Sequence, residues 1–174
     1  EDRKYYKTNH LTWRDWLFRS EKYYIWKFIT ALRELEYRMN TSRNFLDKII
    51  ENIHYIRFLR LMHKTQLYIY PNVCGSGLYI PHLGYMLISA QAEIGKNCVI
   101  RPGTLIASNL GSNNTKLRKV VVGDNVEFSA GCKILCKKIG NNVSVGPNAV
   151  VSKNVPDNSI VMGNPGEIVP KFII

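Results

Sequence analysis

The sequence predicts a mainly β fold: a left-handed parallel β-helix of hexapeptide repeats that follows an N-terminal α-helical region. Two observations lead to this prediction. Apolar residues in the first 66 positions recur at the spacing of an α-helix, whereas those after about Ile69 recur every six residues. We therefore expect two domains, a helical region over 1–66 and a β-helix over 67–174.

Two apolar stripes predict the longer helices of the first region. They comprise Ile25, Phe28, Ile29 and Leu32, and then Leu46, Ile49, Ile50 and Ile53. Thr12 followed by Asp15 is typical of a capping box that opens a short first helix. The segment 39–42 predicts a break between the two longer helices, with Thr41 or Ser42 as the new N-cap. The region holds all three tryptophans, Trp13, Trp16 and Trp26. Such an aromatic stripe usually belongs to a core or a subunit contact.

The six-residue period predicts a coil of stacked turns. An aliphatic residue opens nearly every block, and Gly, Ser or Pro often follows it. From Ile94 onward the complete blocks read IGKNCV, IRPGTL, VGDNVE, FSAGCK, IGNNVS, VGPNAV and VSKNVP. Repeats this short cannot bury a face alone, so three of them must form a turn that stacks on the next. Asn and Gly between the blocks, as at Gly140, Asn141 and Asn142, tolerate the left-handed backbone of tight corners.

The repeat is interrupted at two places, and each is a candidate functional segment. Ile80 to Ile88 spans eight residues instead of six, and His82 lies inside this insertion. Between Ala107 and Val121 the repeat gives way to SNLGSNNTKLRKV. Loops that leave a rigid scaffold are common places for function, and a tolerated surface insertion is the alternative.

His82 is the strongest candidate for catalysis. The other histidines, His10, His54 and His63, fall in the helical region, where surface or interface roles are more common. His82 stands in the phrase PHLG, with Gly84 close by to open space. A neutral imidazole near pH 7 can take a proton from a hydroxyl group. A buried or hydrogen-bonded structural histidine is the alternative.

Composition argues against several other classes of protein. The net charge is +11, which suits a phosphate-bearing cofactor as well as nucleic acid, but no nucleic-acid motif occurs. The coil has few metal ligands, and G-x-S-x-G is absent. Cys98 and Cys132 fall at inward repeat positions, and no C-x-x-C pair occurs among the four cysteines. They are expected to be small buried residues in a reducing compartment.

No signal peptide or membrane-spanning run is visible, which predicts a cytoplasmic protein. Basic and aromatic residues of the helical region offer peripheral binding to the inner face of an anionic membrane as an alternative. The favoured expectation is that the helices cap the open end of the coil.

The coil region resembles the hexapeptide-repeat acyltransferases. The resemblance covers about Pro71 to Ile168 and is carried by GLYIPHLGYMLISAQAEIGKNCVI, VVVGDNVEFSAGCKI and IGNNVSVGPNAVVSKNVPDNSIVMGNPGEIV. It is closest to the serine acetyltransferase-like branch, which includes serine O-acetyltransferases and sugar O-acetyltransferases of bacterial capsule or lipopolysaccharide. The resemblance implies a homotrimer that uses acetyl-CoA as co-substrate and no metal.

The same resemblance assigns roles to particular residues. His82 takes the place of the catalytic histidine, which deprotonates the acceptor hydroxyl for direct attack on the thioester. The positions that match cofactor-binding residues are Ala107, Ser108, Asn109, Ala130, Gly131, Pro147, Gly163, Asn164, Pro165 and Lys171.

Two departures from the family pattern bear on the acceptor. Serine acetyltransferases have Asp directly before the catalytic histidine, where this chain has Pro81. A second family Asp, in an Asp-Ile-His-Pro phrase, meets Tyr68. A desolvated ammonium group needs a negative partner, so these losses argue against free serine. The sequence favours acetyl transfer to a sugar hydroxyl of a capsular or lipopolysaccharide glycan or its precursor. Serine O-acetylation for cysteine biosynthesis and a non-catalytic trimeric β-helix scaffold are the alternatives.

Overall fold

The computed structural model describes Asp2, residues 11–107 and residues 119–171 of the 174-residue chain. Within residues 11–107 three helices precede the coil: α1 (Trp13–Leu17), α2 (Glu21–Thr41) and α3 (Phe45–Thr65). The coil strands are β1 (Leu67–Ile69), β2 (Met86–Ile88), β3 (Ala92–Ile94), β4 (Val99–Ile100), β5 (Leu105–Ile106), β6 (Val120–Val122), β7 (Glu127–Phe128), β8 (Lys133–Ile134), β9 (Lys138–Ile139), β10 (Ser144–Val145), β11 (Val150–Val151), β12 (Ser159–Met162) and β13 (Glu167–Pro170).

The strands form three parallel sheets that are the three faces of a coil. Face A is ordered β1-β2-β5-β8-β11, face B is ordered β3-β6-β9, and face C is ordered β4-β7-β10-β12. From β2 to β11, consecutive strands pass from face A to face B to face C and back to face A, and each pairs with the equivalent strand of the neighbouring turn. At the end of the coil, β13 turns back and pairs antiparallel with β12. The predicted β-helix is confirmed.

The aliphatic residues that open the repeats form three buried columns. Their pairing is in register, because each residue lies opposite its equivalent one turn away. Face A carries Ile69, Ile88, Ile106, Ile134 and Val151; face B carries Ile94, Val122, Ile139 and Val155; face C carries Ile100, Phe128, Val145 and Val161. None of these side chains is more than 3% exposed. The six-residue period is therefore the period of core packing.

Asparagines shape the corner where face B leads into face C. Asn97, Asn125, Asn142 and Asn158 all have φ between 54° and 56°. This is the left-handed region, which Asn tolerates better than most residues other than Gly. The sequence expectation for Asn at tight corners is confirmed here.

The helices pack against the first turns of the coil and share its core. The predicted apolar face of α2 is confirmed, since Ile25, Phe28, Ile29 and Leu32 are at most 5% exposed. They belong to one contiguous cluster with Phe58 of α3 and the inward residues of the coil. The change from helix to strand falls between Thr65 and Leu67.

Arg33 of α2 joins the helices to the coil through backbone contacts. Its guanidinium donates to the carbonyls of Cys74 at 2.8 Å and Gly75 at 2.6 Å. It also donates to the carboxylates of Glu36 at 2.7 Å and Asp2 at 2.5 Å. Burial alone lowers the pKa of Arg33, but its hydrogen bonds to Asp2 and Glu36 outweigh this and raise the pKa.

Two expectations for the helix ends have different outcomes. The capping box of α1 is confirmed, because the Asp15 amide donates to Thr12 Oγ1 and the Thr12 amide donates to the Asp15 carboxylate. The N-cap of α3 was wrongly placed at Thr41 or Ser42. Both hydroxyls donate back to carbonyls of α2, those of Tyr37 and Arg38.

The N-cap of α3 is Asn44, whose amide donates to Asp47. The N-cap is therefore an Asn three residues before an Asp, and not one of the preceding Thr or Ser residues.

The second predicted apolar stripe lies on the outside of α3. Leu46, Ile49, Ile50 and Ile53 are 38–70% exposed, and Trp13 and Trp16 are about as exposed. These residues are not part of the core formed by the described chain. None of the three described helices combines the length and the apolar run needed to span a membrane.

Candidate active site

One corner of the coil, where face C leads into face A, brings His82 into line with most of the predicted cofactor residues. We call this stack of turns the C–A corner; it consists of 81–85, 101–104, 129–132, 146–149 and 163–166. Backbone hydrogen bonds join successive levels: Gly103 N to Tyr85 O at 2.7 Å, Gly131 N to Pro102 O at 2.9 Å, and Asn148 N to Ala130 O at 2.9 Å. The Gly163 carbonyl accepts from Val150 N at 3.0 Å.

Two glycines of this corner stand where a side chain would not fit. Gly131 has φ +76°, and a Cβ atom there would lie 2.2 Å from Asn148 Oδ1. Gly84 has φ +145°, and a Cβ atom there would lie 2.8 Å from Pro102 Cβ. Both positions need Gly for their backbone conformation and for space. The corner therefore presents backbone groups that a ligand can approach closely.

His82 lies at the first level of the C–A corner, in the lengthened repeat from Ile80 to Ile88, which spans eight residues instead of six. Its side chain is 68% exposed, so it is not a buried structural histidine. Its Nδ1 lies 3.5 Å from Glu21 Oε2, and the other carboxylate oxygen of Glu21 accepts a hydrogen bond from Leu83 N at 2.5 Å. The ring therefore faces solvent with a carboxylate beside one of its two nitrogens.

Three aromatic rings lie beside the start of face A. The Tyr68 ring is 5.8 Å from the rings of both Tyr85 and His63, and Tyr68 Oη lies 3.4 Å from His63 Nδ1. Tyr85 is 54% exposed and belongs to the same insertion as His82. Where the family pattern has an Asp, this chain places an aromatic surface.

The structure brings some of the predicted cofactor residues together and separates others. Ala130, Gly131, Pro147, Gly163, Asn164 and Pro165 belong to the C–A corner. Ala107 lies at the opposite end of β5, where its amide donates to Ile134 O. Ser108 and Asn109 lie outside the described residues.

Lys171 follows β13 and lies at the far end of the β12–β13 hairpin from Gly163. Its ammonium donates to Ser144 Oγ at 3.1 Å and Asn142 Oδ1 at 3.3 Å. Because β13 runs antiparallel to β12, Lys171 lies away from the turn at Gly163. The roles of these residues in binding a cofactor stay predictions.

Sequence reasoning missed two charged residues at the C–A corner, Glu21 and Lys133. The Lys133 ammonium donates to the carbonyls of Gly131 at 2.7 Å and Gly103 at 2.9 Å. Lys133 occupies an ordinary outward position of a repeat, so nothing in the sequence distinguishes it. Glu21 could be found only by knowing how α2 packs on the coil.

The cysteines are buried and free, as expected. Burial raises the pKa of the Cys98 thiol to about 11 and also raises the pKa of Cys74, Cys132 and Cys136. These thiols are therefore poor nucleophiles near neutral pH. Among the described residues no group of three His, Cys, Asp or Glu side chains could hold a metal ion.

Comparisons with known proteins agree with the architecture. A serine acetyltransferase of Staphylococcus aureus is 38% identical over 107 residues, which are 60% of this chain and 49% of the relative. A soybean serine acetyltransferase complexed with serine superimposes with a TM-score of 0.65 at 24% identity, over 82% of this chain and 56% of that chain. A serine acetyltransferase in complex with CoA superimposes with a TM-score of 0.67 at 19% identity, over 97% of this chain and 66% of that chain.

The coil thus has the β-helix fold of solved serine acetyltransferases. The sequence is similar to that of serine acetyltransferases, which confirms the resemblance seen in the repeats. The chain spans about half the length of the curated relatives it matches. No protein-family profile matches it.

Proposed function

We propose that this chain is an acetyl-CoA-dependent O-acetyltransferase in which His82 is the general base. The observation that carries the proposal is the position of His82, exposed at the first level of the C–A corner with a carboxylate beside Nδ1. Its other ring nitrogen, Nε2, is then available to an acceptor hydroxyl. The non-catalytic scaffold alternative offers no reason for this arrangement.

The proposed reaction is a direct acetyl transfer. His82 takes the proton of the acceptor hydroxyl while the oxygen attacks the thioester carbonyl of acetyl-CoA. The carbon–sulfur bond breaks, and the proton on His82 passes to the departing thiolate, which gives an O-acetyl ester and CoA. Two structural neighbours were solved in complex with CoA. The exposed backbone of the C–A corner suits a long cofactor that lies along the coil.

We propose L-serine as the first acceptor to test. Every relative described above is a serine acetyltransferase, and one was solved with serine. The glycan acceptor expected from the sequence finds no support in these comparisons. The expectation rested on the missing carboxylates at Tyr68 and Pro81, yet Glu21 places a carboxylate 3.5 Å from His82.

A sugar hydroxyl is the second candidate, and the aromatic surface of Tyr68, Tyr85 and His63 favours it. Small-molecule sites combine apolar and aromatic walls with a few polar groups, and sugar rings stack on aromatic side chains. Tyr85, one residue of this surface, lies in the same lengthened repeat as His82. The comparisons offer no support for placing the chain at a membrane.

We also propose that the chain forms a homotrimer. Leu87, Leu105, Lys133 and Val150 form an outward column on face A, and its three apolar side chains are only partly buried in the single chain. Light scattering in solution should give three times the 20.0 kDa mass of the chain. A monomer would contradict this part of the proposal.

The experiment is thiol release from acetyl-CoA with a panel of acceptors: L-serine, monosaccharides and an oligosaccharide. Wild type is compared with His82→Ala and with His54→Ala, a matched control in the helical region. We expect turnover with serine that falls at least about 100-fold in His82→Ala and is unchanged in His54→Ala. Turnover with a sugar alone would make the second candidate correct. Equal rates in wild type and His82→Ala would contradict the role of His82.

A further inference from the structure

We propose that Glu21 is a positioning residue that orients His82 from the first turn of α2. The inference deepens the proposed function and rests on it, because orientation of His82 matters only if His82 is the base. Glu21 uses both carboxylate oxygens: Oε1 accepts from Leu83 N at 2.5 Å, and Oε2 lies 3.5 Å from His82 Nδ1. One residue thus holds the backbone beside His82 and faces its ring.

Glu21 is well placed to hold a fixed position. It is the first residue of α2, where the unpaired amides of a helix favour a negative charge. Ile25 and Phe28, one and two turns further along, are buried in the core that α2 shares with the coil. The carboxylate is therefore attached to a rigid element, whereas the insertion that carries His82 departs from the regular repeat.

The arrangement sets the chemistry of the imidazole. When Nδ1–H points to Glu21 Oε2, the neutral ring leaves Nε2 without a proton and able to accept one from the acceptor. The same carboxylate stabilises the imidazolium that forms during transfer. The distance of 3.5 Å is longer than a hydrogen bond. Catalytic hydrogen bonds are often long in the absence of substrate and shorten in the complex.

Glu21 supplies a carboxylate that two other positions lack. Serine acetyltransferases have Asp at the positions of Tyr68 and Pro81, and neither residue of this chain can offer a carboxylate to His82. A carboxylate is instead supplied from an α-helix 62 positions before Leu83. The coil would then contribute the base, His82, and the helical region would contribute the residue that orients it, Glu21.

Glu21→Gln tests the inference because it keeps the shape of the side chain. Its Oε1 can still accept from Leu83 N, which leaves the amide NH₂ facing His82 Nδ1. The NH₂ group donates, so Nδ1 must accept and the proton moves to Nε2. We expect kcat to fall about 100-fold with the KM for acetyl-CoA changed less than about twofold.

Glu34→Gln is the matched control. Glu34 Oε2 lies 3.6 Å from His54 Nδ1 within the helical region, a glutamate–histidine contact away from the C–A corner, and also accepts from Arg57 at 2.8 Å. We expect its kcat to stay within about twofold of wild type. An equal loss in both variants would contradict a specific role for Glu21.

The tautomer of His82 gives a readout that does not depend on turnover. Imidazole ¹⁵N chemical shifts, assigned with His82→Ala, should report Nδ1–H in wild type and Nε2–H in Glu21→Gln. The same tautomer in both proteins would overturn the inference, even if wild type proves active. A change of tautomer in a protein that acetylates no acceptor would support Glu21 as the partner of His82 and refute the proposed function instead.

Discussion

The coil and the helical region differ in how their apolar residues are covered. Every column residue of the coil, from Ile88 to Val151 on face A, packs against its equivalent one turn away and is almost fully buried. In the helical region the apolar face of α2 is buried, whereas Phe45 and Leu46 of α3 are 79% and 70% exposed. In the coil, each apolar residue is covered by the equivalent residue of the next repeat. The apolar face of a helix is buried only where another element packs against it.

This difference decides what could be predicted from the sequence. In the coil, the six-residue period specifies which residues point inward, and stacking then fixes their neighbours. In the helices, the 3.6-residue period identifies an apolar face without saying what covers it. The register of the coil and the buried face of α2 were therefore predicted, and the exposure of the α3 stripe was not.

The same distinction applies to the candidate site. His82 could be predicted because it lies where the repeat breaks, and a break in a regular pattern is visible in one sequence. Glu21 could not, because its place beside His82 follows from the docking of α2, which depends on contacts such as those of Arg33 with Cys74 and Gly75. No local signal reports such long-range packing.

The largest expected effect comes from opening a cavity inside the coil. Phe128 is fully buried on face C, between Ile100 and Val145 of the neighbouring turns. Phe128→Ala should lower the free energy of unfolding by about 3–5 kcal/mol, measured by urea denaturation. Val121→Ala, an outward position of face B that is 38% exposed, should change it by less than about 0.5 kcal/mol. Similar effects at both positions would contradict the inward and outward assignment.

A somewhat smaller effect is expected where the two regions meet. Arg33→Ala removes the donor to the Cys74 and Gly75 carbonyls and leaves the Glu36 carboxylate without this partner. The loss should be about 2–3 kcal/mol, since breaking a largely buried ion pair leaves a charge uncompensated. Lys48→Ala, which breaks the exposed pair with Glu51, should cost less than about 1 kcal/mol in the same denaturation experiment. If Arg33→Ala lowers the free energy of unfolding no more than Lys48→Ala does, Arg33 does not hold α2 on the coil.

The smallest expected effect concerns the thiols of the coil. With a pKa of about 11, only about one Cys98 side chain in a thousand is a thiolate at pH 8. The four native cysteines should therefore resist a maleimide in the folded protein and react in denaturant. Phe45→Cys places a thiol on the exposed side of α3, and it should react within minutes. Fast labelling of wild type would show that the coil opens far more readily than its packing indicates.

Glu21 and His82 are proposed to act as one unit across the boundary between the two regions. The most direct test is a double-mutant cycle on the rate of O-acetylserine formation, with wild type, Glu21→Gln, His82→Ala and the double variant. If Glu21 acts through His82, wild type forms the ester, each single variant is slower, and the double variant is no slower than His82→Ala. Rate losses that multiply in the double variant, or no ester from wild type with serine or any sugar of the panel, would contradict the account.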